Sequence, residues 1–485
     1  MKVLFVASHP PLPLDNGGRL RTFHLLDELS QRADVVLATL DREPGSGDGG
    51  PRGEELREAI CGALPALRDV AVVRAPPARK RVRQLATLAG AGSYTAAMHR
   101  SGELVARARA AARSFEPDLI HCDSLFCAHV RPSQPAASAP WVLSLHNDEA
   151  LLKERLAETA GEWLRRALYR REATALAALQ ARALTEFDHA VAVSDIERAR
   201  FAAVASGNGS RSGKGPGEAV SAGEGGRSDI GPGEPVSAGN GGRSGAGPGE
   251  PVSAGNGGRS GVGPGEPVSA GRGADVITVP NGVDPLPEPG GPPAGPRPGD
   301  PLRLLFVGSL NYEPNAQGLE WFAHEVAPRV RERVEIEIDV VGPGRRGPEL
   351  PGVTYLGRVE DVGSAYASAH AAVVPLRAGA GSRLKVVEAL TRGVPVVSTS
   401  LGVEGYDVRD GEHALIADDP ETLAERFALL DASLRGDRHL AGSLVAAGYA
   451  FARDYFWPRI GEAMARDYER WAEEGQSSSI AAPSP

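Results

Sequence analysis

The chain opens with a short apolar run, residues 3–7, and runs of the same kind recur along most of its length: 35–38, 119–121, 141–145, 190–193 and 276–279. They are rich in Val, Ile and Leu and nearly continuous, not alternating. A strand buried on both faces reads this way, which predicts parallel sheets with helices on either side. Stretches between several of the runs carry apolar residues at helical spacing. A second series follows at 304–307, 336–341, 353–355, 371–374 and 394–397. Two successive series predict two doubly wound, Rossmann-like α/β domains facing a central cleft. The expected limits are 1–284 for the first domain, 285–301 for a proline-rich linker and 302–455 for the second. A helix over 456–475 is expected to cross back to the first domain, and 476–485 to be a disordered tail.

One segment breaks the pattern. Residues 206–273 hold 24 of the 60 glycines, and Gly-Pro-Gly-Glu begins at Gly215, Gly231, Gly247 and Gly263. This 16-residue repeat has almost no apolar residue larger than valine. It cannot bury enough surface to offset a backbone entropy of ~1–2 kcal/mol per residue. The repeat is therefore expected to be a disordered insertion within the first domain.

Composition excludes some classes of function. The chain has 485 residues, a net charge of −9 and three cysteines, Cys61, Cys122 and Cys127. There is no global basic field for nucleic acid, no disulfide framework, and no Cys/His spacing of a metal site. The first apolar run is too short for a signal sequence, and no run approaches the ~18 apolar residues of a membrane span. A cytoplasmic protein is expected, with peripheral contact at the inner membrane face as a further option.

Ligands of open α/β sheets lie beyond the carboxyl ends of the strands, so the strand-to-helix loops were searched for chemistry. The first loop carries Gly17 and Gly18 ahead of a helix expected to begin near Arg19, with Arg21 one turn in. Glycines there let backbone amides approach an anion, and a helix N-terminus favours one by ~0.3–1 kcal/mol. A plain tight turn is the alternative. The loop after 141–145 places His146 and Asn147 at a strand end, where a structural histidine is the competing reading. The loop after 371–376 runs through Gly379, Ala380, Gly381, Ser382, Arg383 and Lys385 to Glu388. Ser382 is the expected N-cap of a helix about three turns long that Gly393 and Pro395 terminate. Such a helix start, with Arg383 and Lys385 beside it, suits a diphosphate. Glu388 shares the face of Lys385 and suits sugar hydroxyls; a simple Lys–Glu pair within the helix is the alternative.

At these residues the chain resembles glycosyltransferase family 4, retaining enzymes of the GT-B fold, and a branch found in bacterial exopolysaccharide clusters. The blocks that carry the resemblance include Pro-Leu-Asp-Asn-Gly-Gly-Arg-Leu-Arg (13–21), Leu-His-Asn (145–147) and Val-Pro-Asn-Gly-Val-Asp (279–284). Phe-Val-Gly-Ser-Leu-Asn-Tyr-Glu-Pro-Asn (306–315) and Gly-Ser-Arg-Leu-Lys-Val-Val-Glu-Ala-Leu (381–390) complete it. The resemblance implies a nucleotide-sugar donor, a sugar or lipid-linked acceptor and no cofactor. It implies that His146, Arg383 and Lys385 serve catalysis. Gly17, Gly18, Gly308, Ser309, Asn315, Gly357, Arg358, Val359, Gly381, Ser382 and Glu388 would hold the donor. Arg19, Arg21 and Asn147 would lie on the acceptor side.

Two positions depart from the family pattern. Ala380 stands where a first glutamate is common, and Ser309 lies where Arg and Lys are usual. No Asp-x-Asp motif suggests a metal, so a metal-independent transferase is expected. An epimerase of the same architecture and a non-catalytic sugar-nucleotide-binding protein are the competitors. A basic helical stretch over 149–185, with Trp163 among its arginines, is a candidate membrane contact and equally a solvated helix with one core face.

Overall fold

The computed structural model describes residues 1–41, 52–74, 92–132, 139–207, 273–344 and 350–480. The first sheet contains seven parallel strands in the order β3-β2-β1-β4-β5-β6-β7. These are β1 (Lys2–Ala7), β2 (Asp34–Asp41), β3 (Asp69–Arg74), β4 (Leu119–Asp123), β5 (Trp141–Ser144), β6 (His189–Ala192) and β7 (Asp275–Thr278). The second contains six in the order β10-β9-β8-β11-β12-β13. These are β8 (Leu302–Val307), β9 (Ile336–Val341), β10 (Val353–Gly357), β11 (Ala371–Val374), β12 (Val396–Ser398) and β13 (Leu415–Ile416). Every pairing between these strands is parallel.

The apolar-run reading missed β3 and β13. Only Val70 and Val73 of β3 are buried at this sheet edge, and its charged, exposed ends interrupt the run; β13 has two residues. The run read at 119–121 extends to Asp123, because the polar His121, Cys122 and Asp123 are all buried.

Both faces of each sheet are covered. One face of the first packs Leu4, Val6, Ile120 and Leu143 under helices that include Leu176 and Phe201. The other packs Val3, Phe5, Val35 and Leu119 against Trp457, Ile460, Met464, Tyr468 and Trp471. Those last five lie at intervals of three and four on the helix Trp457–Ile480, so they form one stripe. The C-terminal helix therefore packs on the first sheet. It continues to Ile480, past the 476 at which a tail was expected; residues 481–485 lie outside the described residues.

The proline-rich stretch 285–301 is held along the second domain. Arg435 donates to the carbonyls of Arg297 and Asp300, Arg438 to Pro293, and Tyr449 to Leu286. Most of the expected repeat insertion lies outside the described residues. Its flanks do not: a Cβ on Gly273 would fall 2.2 Å from the Ala205 carbonyl oxygen. The chain thus leaves after the helix Asp195–Ala205 and re-enters at β7 beside its point of departure, so the excursion is compatible with an uninterrupted sheet.

Candidate active site

Each sheet has one point where strand order reverses, between β1 and β4 in the first and between β8 and β11 in the second. Helices leave in opposite directions there, and a crevice opens beyond the strand ends. Most of the residues singled out from the sequence lie on the loops or helices that follow β1, β5, β8 and β11, while Gly357, Arg358 and Val359 lie at the end of the edge strand β10.

On the first domain, the loop after β1 ends at Asn16, whose side chain accepts from the Arg19 backbone N–H and caps the helix Gly17–Ser30. The two glycines are thus the first residues of the helix, not its approach, because Asn16 outcompetes a later start. The position of a Cβ on Gly17 lies 3.4 Å from Leu384 Cδ1, and one on Gly18 lies 3.6 Å from His9 Nε2 and 3.7 Å from His146 Nδ1. Leu384 opens the helix Leu384–Thr391 of the second domain. Two helix N-termini therefore meet, one from each domain, and both favour an anion between them.

His146 follows β5, and its Nε2 hydrogen-bonds Asp123 Oδ1 at 2.6 Å. Asp123 ends the neighbouring strand β4. Its other oxygen accepts from Thr22 Oγ1 at 2.5 Å, and His121, itself 2.6 Å from the Tyr468 hydroxyl, approaches Oδ1 at 3.4 Å. Burial opposes ionisation of Asp123, but His146 and His121 overcome it and hold the carboxyl well below the usual carboxylate range. The carboxylate fixes a proton on His146 Nε2, which leaves Nδ1 toward the Gly18 turn.

On the second domain, Lys385 Nζ donates to Asn315 Oδ1 at 2.8 Å, and Asn315 Nδ2 donates to the Ser309 carbonyl at 2.9 Å. A Cβ on Gly308 would fall 2.6 Å from Asn315 Nδ2 and 2.8 Å from Lys385 Nζ, so any side chain there would displace this pair. Burial pushes the Lys385 ammonium down to about 7; Arg383 acts in the same direction and Glu388 against it. Glu388 lies one turn on. Burial raises its pKa, and it accepts from the Tyr366 hydroxyl at 3.3 Å, not from Lys385. Gly357 ends β10 and is joined to the strand ends by the Gly342 N–H at 2.8 Å. Arg358 beyond it is exposed, and Val359 packs against the buried apolar cluster that includes Leu305, Val341 and Tyr366.

The segment 379–382 is gripped by the first domain at every residue. Arg155 Nη1 donates to Gly379 O at 2.6 Å. The Asn147 amide, with its nitrogen turned toward Ala380, donates to Ala380 O at 3.1 Å. Glu197 Oε1 accepts from the Gly381 N–H at 3.0 Å, and Asn281 Nδ2 donates to Ser382 Oγ at 2.9 Å. Gly381 has φ +78°, and a Cβ there would come 2.2 Å from the Asn147 side chain. The Ala380 methyl is buried with Leu152, Leu156 and Ala378, so a glutamate at this position would bring a charge into an apolar cluster.

Five expected local arrangements differ in the structure. Ser382 does not cap its helix; its hydroxyl serves Asn281 across the cleft, and the N-cap is Arg383 with no side-chain cap bond. That helix spans Leu384–Thr391, shorter than three turns. Arg383 is buried and folded back on its own loop, donating to Ala380 O and Gly381 O (2.7 Å) beside Glu404, so it braces the segment from inside. Arg21 is also buried, donating at 3.0 Å to Pro280 O and Asn281 Oδ1, because its helix position faces the sheet; Arg19 pairs with Asp15. The basic stretch 149–185 is two helices, Glu149–Thr159 and Trp163–Glu186, broken around Gly161.

Sequence reasoning missed Asp123, His9, His121, Glu197, Asn281 and Arg155. The strand-end rule could have found Asp123 had β4 been carried two residues further. Asn281 stood inside a quoted block. Glu197 follows Ser194 at capping-box spacing, which signals only a helix start.

The two facing Rossmann-like domains, with both switch points on one cleft, constitute the GT-B fold. The chain has a TM-score of 0.57 and 15% identity to the sucrose-phosphate synthase of Thermosynechococcus elongatus, covering 98% of this chain and all of that one. Against Anabaena Alr3699/HepE in complex with UDP-glucose the values are 0.53 and 15%, covering 97% of this chain and 100% of the other. Residues 301–431 match the family described as glycosyl transferases group 1. The phosphatidyl-myo-inositol mannosyltransferase of Mycobacterium tuberculosis is 29% identical over 221 residues, 43% of this chain. The match spans 58% of that relative's length.

Proposed function

We propose that this chain is a retaining, metal-independent glycosyltransferase that moves a hexosyl group from a nucleotide-diphosphate sugar to an acceptor within the interdomain cleft, in polysaccharide or glycoconjugate synthesis. The observation that carries this reading is the meeting of two helix N-termini, Gly17 against Leu384, with Lys385 one residue further on. Transfer breaks the bond between the anomeric carbon and a phosphate oxygen, and the electron pair leaves with the diphosphate. Helix amides and the Lys385 ammonium would stabilise that charge in place of a metal. His146, oriented by Asp123, would hydrogen-bond a sugar hydroxyl through Nδ1. The acceptor oxygen forms the new bond, and its proton passes to the departing phosphate, which makes the leaving group the base. Glu388 would hold the nucleotide ribose, and the strand ends at Gly308 and Gly357 would flank the base. The matched mannosyltransferase and the UDP-glucose complex of HepE are in keeping with such a donor.

The test is a thermal-shift screen of UDP-, GDP- and ADP-sugars, then turnover with the stabilising donor, with and without acceptor extracts. One donor class should stabilise the protein, and turnover should survive EDTA. Isomerised donor would make it an epimerase, and binding without turnover a non-catalytic module.

We also propose that the acceptor is lipid-linked and reached from the cytoplasmic face of a membrane. Among the described residues no helix is long and apolar enough to cross a membrane. The start of the helix Trp163–Glu186, however, exposes Trp163 (77%), Leu164 (55%) and Leu168 (46%) beside Arg165, Arg166 and Arg170. Such a face suits an anionic surface, and each basic residue near it contributes ~1 kcal/mol. Trp163→Ser with Leu168→Ser should reduce cosedimentation with phosphatidylglycerol vesicles at least ~10-fold. Equal recovery with phosphatidylcholine vesicles would reject the proposal.

A further inference from the structure

Glu197 sits at the start of the helix Asp195–Ala205, where its own backbone N–H is taken by Ser194 Oγ. Its side chain does not complete a capping box. Instead one oxygen, Oε1, accepts two backbone N–H groups from different domains, Asp148 at 3.0 Å and Gly381 at 3.0 Å. The residue is 4% exposed, and Oε2 has no hydrogen-bond partner among the described residues. Asp148 directly follows the His146–Asn147 pair, and Gly381 lies in the segment before Lys385. A single carboxylate therefore ties the loop that carries His146 to the loop that leads to the phosphate side.

We propose that Glu197 is a positioning residue that fastens the two halves of the cleft together around the donor. The inference rests on the transferase reading only in treating Gly379–Arg383 as the donor loop. Arg155 and Asn281 hold the same segment, but Glu197 is the grip whose charge can change near neutrality. Burial pushes its carboxyl up to about 7. The groups around it are Asp148, paired with Arg200; Arg383, beside Glu404 and Arg155; and Arg21.

The sign follows from linkage. Opening the cleft wets Glu197 and returns it toward its ordinary value, so the closed form binds the proton more tightly. Closure is thus favoured below the wetted value and weakens as pH rises through 7. A neutral side chain of the same shape should stay closed throughout.

Hydrogen exchange of the peptide containing Gly381 in the ligand-free protein, corrected for intrinsic rate, tests this. The measurement is made in a Lys385→Met background, which removes the titration of that lysine. Protection should fall ~10-fold between pH 6 and pH 8. Glu197→Gln should abolish the pH dependence and keep the protection of the acidic form. Glu197→Ala should lose protection at both pH values, and should raise the donor KM more than it lowers kcat when placed in the otherwise native enzyme. Should Glu197→Ala fail to fold, Gly381→Ala disturbs the same contact from the other domain and should also expose the peptide. Equal, pH-independent protection in the parent and in Glu197→Gln would overturn the proposal. Failure of every sugar nucleotide to bind, with exchange behaving as described, would overturn the transferase reading and leave the role of Glu197 intact.

Discussion

Replacing Lys385 by methionine should lower kcat/KM for the nucleotide-sugar ~10²–10³-fold while leaving free nucleoside binding nearly unchanged. A loss of that size is typical when one group that stabilises developing charge is removed. The ammonium lies over the Phe306 ring at 4.5 Å and is held by Asn315. Its pKa of about 7 adds a second signature. In the free enzyme the charged form dominates only below pH 7, so affinity for diphosphate should decline as pH rises beyond that. Stability should move the other way. Between pH 7 and the ordinary lysine value of about 10.5 the unfolded chain binds more protons at this site than the native one, so stability gains with pH across that window. Lys385→Met should remove this slope and give a higher Tm than the parent, most clearly below pH 7. Titration calorimetry with UDP or GDP, and melting curves from pH 6 to 10, would check both. Equal loss of nucleoside and diphosphate binding would remove Lys385 from the phosphate side.

Asp123→Asn should lower kcat ~10²-fold or more with little effect on donor affinity. The substitution keeps the shape but withdraws the charge that fixes the His146 tautomer. Asp123→Ala is the harsher change. It leaves His121, Thr22 and His146 without their shared buried partner, at a cost of about 3–5 kcal/mol. A cycle with His146→Gln tests the pairing. If the two residues act as one unit, the double variant should be barely slower than the worse single variant. Effects that multiply would separate them.

The strand-end rule brought Gly17, Gly18, His146 and Lys385 into view from the sequence because position along a doubly wound sheet is a local property. Each is found by locating where an apolar run stops. Asp123 escaped because the run read from the sequence stops at His121, two residues short of it, and only burial shows that Cys122 and Asp123 continue the strand. Glu197 escaped for a different reason. Its neighbours in sequence explain it fully as a helix start, while its partner Gly381 is far away along the chain.

Arg383 and Ser382 illustrate the limit most clearly. The letters beside Lys385 describe a cationic, capped helix start, and helix start and charge are real properties of that segment. Which way each side chain turns is not local. Ser382 is taken by Asn281, which arrives from the first domain, whereas Arg383 is taken by the carbonyls of its own loop, which the turn at Gly379–Gly381 folds back onto it.

The pattern of apolar runs, read alone, determined that this protein has two parallel-sheet domains, since strands buried on both faces admit few other architectures. It also determined which loops face the cleft, since strand polarity fixes the end at which ligands lie. Tertiary structure decided which of the charged residues on those loops are exposed to a substrate and which are consumed in bracing the site. A hydrogen bond between groups hundreds of residues apart depends on the packed geometry of both sheets, and no short window of sequence contains it.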